Sequence, residues 1–157
     1  EVISNCFTNA NTDQALISNA SILLAELAHI KSALGIKFYE ELKTQHNGGT
    51  LTTANQVLVD DFLTRCLSWY VRFEVISEIQ HNSGSSGIVS NIDEFSSIID
   101  PSELNAYKQE TYRKGAIFLK DMIDFIEGDD QDGDYPTYES NTPCDNGAWK
   151  NHGIIMY

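Results

Sequence analysis

Between Ala54 and Gln80 no proline or glycine interrupts the chain, and large apolar residues return every three or four positions. Val59, Phe62, Cys66, Trp69, Phe73 and Ile76 form one stripe, and Leu58, Leu63, Tyr70 and Ile79 widen it. This period predicts a helix over about 54–80, roughly 40 Å long. A face this wide must be covered on more than one side, which makes the segment the spine of a helical bundle.

The rest of the chain supplies partners for that spine. Ile22, Leu23, Leu27, Ile30 and Leu34 recur at helical spacing from Ser18 onward. Gly35 is a natural bend, and a second short helix is expected over 36–46 with Ile36, Phe38, Tyr39 and Leu42 apolar. Asn47-Gly48-Gly49 ends it, because these residues accept the left-handed conformation of a helix exit. A fourth helix is predicted from Asp100 to about Glu127. Asp100 is a suitable N-cap, Pro101 fits the first helical position, and Glu103 completes an Asp-x-x-Glu box. Leu104, Thr111, Gly115, Phe118, Met122 and Phe125 make its inner stripe, joined by Leu119, Ile123 and Ile126. Gly115 lowers helix propensity by about 1 kcal/mol, so close backbone packing is the expected reason for it.

The expected fold is therefore all-α: a bundle of two long and two shorter helices with extended N- and C-terminal arms. The bundle occupies 18–127. An N-terminal arm covers 1–17, a long loop covers 81–99, and 128–157 form an acidic turn and a C-terminal arm. The loop begins with the flexible Asn-Ser-Gly-Ser-Ser-Gly run, 82–87, yet holds Ile88, Val89, Ile92 and Phe95, so a packed or extended edge is expected in it. The C-terminal arm has no helical period but carries Tyr135, Pro136, Tyr138, Trp149, Ile154, Ile155, Met156 and Tyr157. Solvated acidic tails lack residues of this kind, so these eight are expected to meet a partner.

Charge narrows the partners. Ten Lys and Arg face 23 Asp and Glu, a net charge of -13. Nucleic-acid affinity comes mainly from basic side chains neutralising phosphates, so a DNA or RNA binder is excluded. An anionic membrane surface is excluded on the same ground. No apolar run approaches the roughly 18 residues needed to span a bilayer. The opening stretch Glu1–Asn11 is polar and lacks a basic region, so no signal peptide is expected there. Cys6, Cys66 and Cys144 are three and far apart, which is no disulfide framework and suits a reducing compartment.

Candidate chemistry is sparse. With Gly133 at the glycine of a calcium loop, Asp130, Asp132 and Asp134 take three ligand positions and Glu139 the bidentate one. The first position would be Gly128 and no exiting helix follows, so a solvated acidic turn is the better reading. His29, His46, His81 and His152 have no second ligand at i+4. His29 reads as a packed or half-exposed histidine, while His46 and His81 close helices. Glu41-Leu42-Lys43 has a nuclease-like spacing but lies on a helix, facing solvent. Cys66 falls on the spine's apolar stripe and reads as an inert core thiol. Gly48-Gly49-Thr50 lacks the lysine of a phosphate loop. No enzyme, cofactor or metal site is expected.

One set of motifs resembles a known family. Leu34-Gly35-x-x-Phe38-Tyr39-x-x-Leu42 is similar to the "LG-x-x-LY-x-x-L" signature of head–tail connector proteins of tailed phages. That family is common in phages of gut Bacteroidetes, including crAss-like phages. Leu51-Thr52-x-x-Asn55 follows, then a long helix with Trp69 and Tyr70 at its centre and a Gly87-Ile88-Val89 turn. Glu103-Leu104, Tyr107, Tyr112 and Ala116 resemble the family's last helix, with one extra residue between the tyrosines. Tyr135-Pro136-Thr137-Tyr138 resembles its "Y-P-x-Y" tail. The resemblance spans roughly 18–140.

The resemblance implies a structural protein of the virion, at the head–tail junction, assembled in the host cytoplasm. It implies a ring of identical subunits, expected dodecameric, that binds the portal protein, extends the DNA channel and docks the next neck or tail component. Genome DNA would meet it only in passing, and an acidic wall suits that passage. The rival readings are an acidic DNA mimic or other partner-binding inhibitor, which the charge suggests, and a calcium-dependent binding module. Five of the acids sit in 128–140, outside the bundle, which disfavours a mimic with phosphate-like spacing along one face.

Overall fold

A computed structural model describes residue 2 and residues 17–84, 87–90, 100–128 and 133–140. Four helices form an all-α bundle, with one small hairpin between the long pair. Helix α1 covers 19–34, α2 is Ile36–Gly48, α3 covers 53–80 and α4 is Pro101–Ile126. Strands β1, His81–Gly84, and β2, Gly87–Ser90, pair antiparallel with His81 opposite Ser90 and Gly84 opposite Gly87. The hairpin continues directly from α3 and occupies the first half of the expected long loop.

Local chemistry sets the helix ends. Ser18 Oγ accepts the Ser21 N–H at 3.0 Å, Thr52 Oγ1 accepts the Asn55 N–H at 3.1 Å, and Asp100 accepts the Ser102 N–H at 2.8 Å. Each satisfies a donor that the first helical turn leaves open. Gly35 turns the chain from α1 into α2 at φ 78°, and Gly49 closes α2 in the left-handed region at φ 64°. The Gly49 and Thr50 N–H groups donate back to the His46 and Gln45 carbonyls, closing the end of α2.

Two π-helical turns interrupt the regular period: Glu26–Ile30 in α1 and Leu58–Leu63 in α3. They correct the expected stripes. Ser21, Ala25, Ile30 and Leu34 face inward along α1, with a step of five positions from Ala25 to Ile30. A regular helix would bring Leu23 and Leu27 in behind Ile30, but the wider turn sends both outward. In α3 the buried apolar residues are Leu58, Cys66, Leu67, Tyr70, Val71, Val75 and Ile76, whereas Phe62 and Phe73 are half-buried. Val71 and Val75 lie off the expected stripe for the same reason.

Helix α3 is the spine, packed against α4 on one side and α1 on another. Thr111, Gly115, Met122 and Ile126 form the enclosed line of α4, with Phe118, Leu119, Ile123 and Phe125 beside it. The Cys66 S–H donates to the Gly115 carbonyl at 3.7 Å, and Phe62 stacks on Phe125 with centroids 4.3 Å apart. The packed unit extends past 18–127 at both ends. Ile17, assigned to the N-terminal arm, and Tyr135, assigned to the C-terminal arm, are each only 6% exposed within the core.

Candidate docking groove

The corner between α1 and α2 leaves an open groove of about 520 Å³. Its wall on α1 is Leu27, Lys31, Ser32 and Leu34; Gly35, Ile36 and Lys37 form the turn, and Thr137 and Glu139 close the opposite rim. Leu34 is buried at the base, while Leu27 and Ile36 are 43% and 69% exposed. Leu23 and Leu24, one turn earlier on α1, are also exposed. They continue the aliphatic surface, because residues three and four apart are neighbours on a helix.

Polar groups brace both rims. Lys31 Nζ donates to Glu40 Oε1 at 3.0 Å, and Lys37 donates to Glu139. The Glu139 carboxylate holds the exposed Lys37 ammonium above its ordinary pKa, first through the hydrogen bond and then through its charge. Beneath the α1 wall the Tyr39 O–H donates to Glu26 Oε1 at 3.1 Å. Burial, then the negative Glu26, pushes the Tyr39 phenol up to about 12.

Residues 133–140 reach the rim because three tyrosine and threonine contacts hold them to the bundle. Tyr135 packs edge-on to Phe38, centroids 5.6 Å apart, and edge-on to Phe125 at 6.2 Å. Its O–H donates to the Ala54 carbonyl at 3.3 Å. Tyr138 meets the same Phe38 ring at 6.0 Å and donates to Glu127 at 2.9 Å. Burial, with the Glu127 carboxylate beside it, holds the Tyr138 phenol well above its usual range. Thr137 donates to Glu41, and Ser140 to Glu127 at 2.7 Å.

This corrects two expectations. Tyr135, expected to anchor a partner, is spent inside its own subunit, since the Phe38 and Phe125 rings leave a slot for it. Tyr138 is half-buried by the same packing, and of that trio Pro136 alone is exposed. Glu41, expected to face solvent, is half-buried under Thr137. Trp149, Ile154, Ile155, Met156 and Tyr157 lie outside the described residues.

The motif residues are structural. Leu34, Phe38, Tyr39 and Leu42 are all in the core, with Gly35 at the bend. Gly87 opens β2 opposite Gly84. Leu104 is half-buried near the start of α4. Tyr112 joins an aromatic box around His29, which stacks on Tyr70 at 4.0 Å with a 6° tilt and meets Phe73 and Tyr112 edge-on. His29 Nε2 lies 3.0 Å from Glu74 Oε1. Sequence reasoning missed this box because His29 meets its rings only across α3 and α4.

Among the described residues no three His, Cys, Asp or Glu side chains cluster in a way that could hold a metal ion. Of the calcium-loop candidates, Asp130 and Asp132 lie outside those residues, and Glu139 is paired with Lys37. Among the described residues no helix is long and apolar enough to cross a membrane.

A family model matches residues 30–148, from the last turns of α1 to beyond the rim segment. The chain belongs to the DUF6712 family, a family of unknown function. No curated protein and no solved structure matches it.

Proposed function

We propose that this DUF6712 chain is a structural protein of the phage neck. It forms a ring, expected dodecameric, that binds the portal protein, extends the DNA channel and docks the next neck or tail component. The observation that carries this reading is the ordered motif set from Leu34 to Tyr138, which resembles that of head–tail connector proteins. The side chains of that set serve packing: Phe38, Tyr39 and Leu42 enter the core, and Tyr135 closes it.

Two physical features support the reading. The exposed aliphatic face of α1 gives each subunit an apolar patch on one side, as a heterologous ring contact requires. The net charge of -13 makes a channel wall that repels the phosphates of passing DNA. Catalysis plays no part in this role, and no cofactor is needed.

The test is assembly. The chain is co-expressed with the portal protein of its own phage, and the complex is weighed by native mass spectrometry and imaged by electron microscopy. The expected result is a closed ring of copies seated on the portal. A chain that stays monomeric and ignores the portal would overturn the proposal.

A further inference from the structure

We infer that copies of this chain bind one another through the seam of α3 and α4, the cationic and aromatic middle of one copy's seam receiving the acidic foot of another's. The inference stands on the charge pattern of these two helices and holds whether or not the chain seats on a portal.

The charge of the chain is unevenly spread. Residues 65–73 and 104–114 hold five of its ten basic residues, Arg65, Arg72, Lys108, Arg113 and Lys114, and one of its 23 acids, Glu110. Five bases and 22 acids remain for all other positions. The two stretches lie side by side, since Lys114 reaches the Trp69 ring and Arg72 reaches Tyr107. Glu74, next along α3, is engaged by His29 of α1.

The middle of the seam has the composition of a contact surface. The Arg72 guanidinium lies over the Trp69 ring at 5.2 Å and over the Tyr107 ring at 5.4 Å, and it donates to the Tyr107 hydroxyl oxygen. Lys114 Nζ lies 4.9 Å from the centre of the Trp69 ring. Cations held this way on aromatic rings lose little side-chain freedom when a carboxylate meets them. Tyr107 is 43% exposed, and Ile117, one turn beyond Lys114, is 51% exposed. Trp, Tyr and Arg are the residue types that carry most binding energy at protein interfaces.

The complementary patch is at the foot of the same helices, where α3 begins, α4 ends and Phe62 stacks on Phe125. Asp60, Asp61, Asp121 and Asp124 are all exposed there, and Lys120 donates to Asp124.

Repulsion selects the partner surface. At physiological salt, charges act over only about 8 Å, so local patches and not the net charge decide which surfaces can touch. With 22 acids outside the seam, most approaches of two copies set carboxylate against carboxylate, which disfavours them. The α1–α2 corner is no substitute, because Lys31 and Lys37 are already paired with Glu40 and Glu139. Every copy carries both the basic middle and the acidic foot, so one contact satisfies both without a third component. A nucleic acid fits less well, since the acids on either side of the seam repel a continuous phosphate chain.

The test is sedimentation velocity of the purified full chain across a dilution series, with circular dichroism as the folding control. The parent should associate as concentration rises. Arg72→Glu with Lys114→Glu should weaken association at least tenfold, and Asp61→Lys with Asp121→Lys should do the same. An equimolar mixture of the two variants should recover association, because each then offers the charge the other has lost. Lys114→Glu alone, at an exposed side chain, should weaken association several-fold and guards against a folding effect of the Arg72 change. A parent that stays monomeric at every concentration would overturn the inference. So would association that survives both double variants, which would place the contact on another surface, or a mixture that associates no better than its components.

Discussion

The backbone of Gly115 lies flat against the ring of Tyr70, so that a Cβ at position 115 would stand 3.0 Å from Tyr70 Cε1. The ring cannot retreat. It is 1% exposed, stacks on His29 at 4.0 Å, and has Tyr112 at 5.7 Å on another side. Gly115→Ala gains about 1 kcal/mol of helix propensity but forces a ring into occupied space, which costs roughly 1–3 kcal/mol. The net expectation is destabilisation, read as a lower urea midpoint. Gly115→Val should be worse, and Tyr70→Leu should relieve both. A Gly115→Ala chain that melts higher than the parent would show that the ring yields.

Tyr135 carries the packed core past the end of α4. Tyr135→Ala should cost about 3 kcal/mol, as for other large aromatic truncations in a core. Tyr135→Phe should cost about 1 kcal/mol, for the single hydrogen bond to Ala54. Truncation after Ser140 should leave helicity and melting temperature close to the parent, whereas truncation after Asp132 should lower the melting temperature sharply. Equal melting temperatures for the two truncations would contradict the packing of Tyr135.

Much of this was legible in the sequence. Pro101, Asp100, Gly35 and the Asn-Gly-Gly run set the helix ends to within two residues, because caps and breakers act locally. The inner line of α4 followed its period. What was not legible were the two π-turns, since an extra residue in one turn leaves no mark in composition yet rotates the helix before it against the helix after it. That is why Leu23 and Leu27 belong outside and Val71 and Val75 inside. Tyr135 and the His29 box were hidden for a different reason. Each is defined by rings that come from distant helices, and nothing local announces the meeting. At the candidate groove, Leu34 and Gly35 were visible as a motif, but the rim from Thr137 and Glu139 depends on where Tyr135 lands.

Alkaline pH should destabilise the fold, because buried groups that are neutral when protonated must then ionise. Burial pushes the Cys66 thiol from 9.0 up to about 12, and burial together with Glu26 pushes Tyr39 from 10.0 up to about 12. Both groups are neutral when protonated, and both folded values exceed the unfolded ones. Their contribution is therefore complete below about pH 9 and is lost as pH rises through 12. The urea midpoint should be flat from neutral pH to about 9 and then fall. In a Cys6→Ser, Cys144→Ser chain, Cys66 should resist a thiol reagent at pH 8 until denaturant unfolds the bundle. Rapid labelling of the native chain would contradict its burial.

The last prediction concerns His29 and Glu74, whose side chains meet at 3.0 Å between half-buried positions. His29 supplies two separable contacts: a ring face for Tyr70 and a nitrogen for the carboxylate. His29→Phe retains the stack and removes the hydrogen bond, leaving the Glu74 carboxylate without its His29 partner. A hydrogen bond to a charged group contributes about 1.5–3 kcal/mol, and the lower end applies at this partial exposure. His29→Ala removes the stack as well and should cost about 1 kcal/mol more. Glu74→Leu should cost less in the His29→Phe chain than in the parent, because the partner is already gone. A double-mutant cycle in urea separates the two contacts. Strict additivity of His29→Phe and Glu74→Leu would show that the pair contributes nothing and that the aromatic stack alone holds His29 in place.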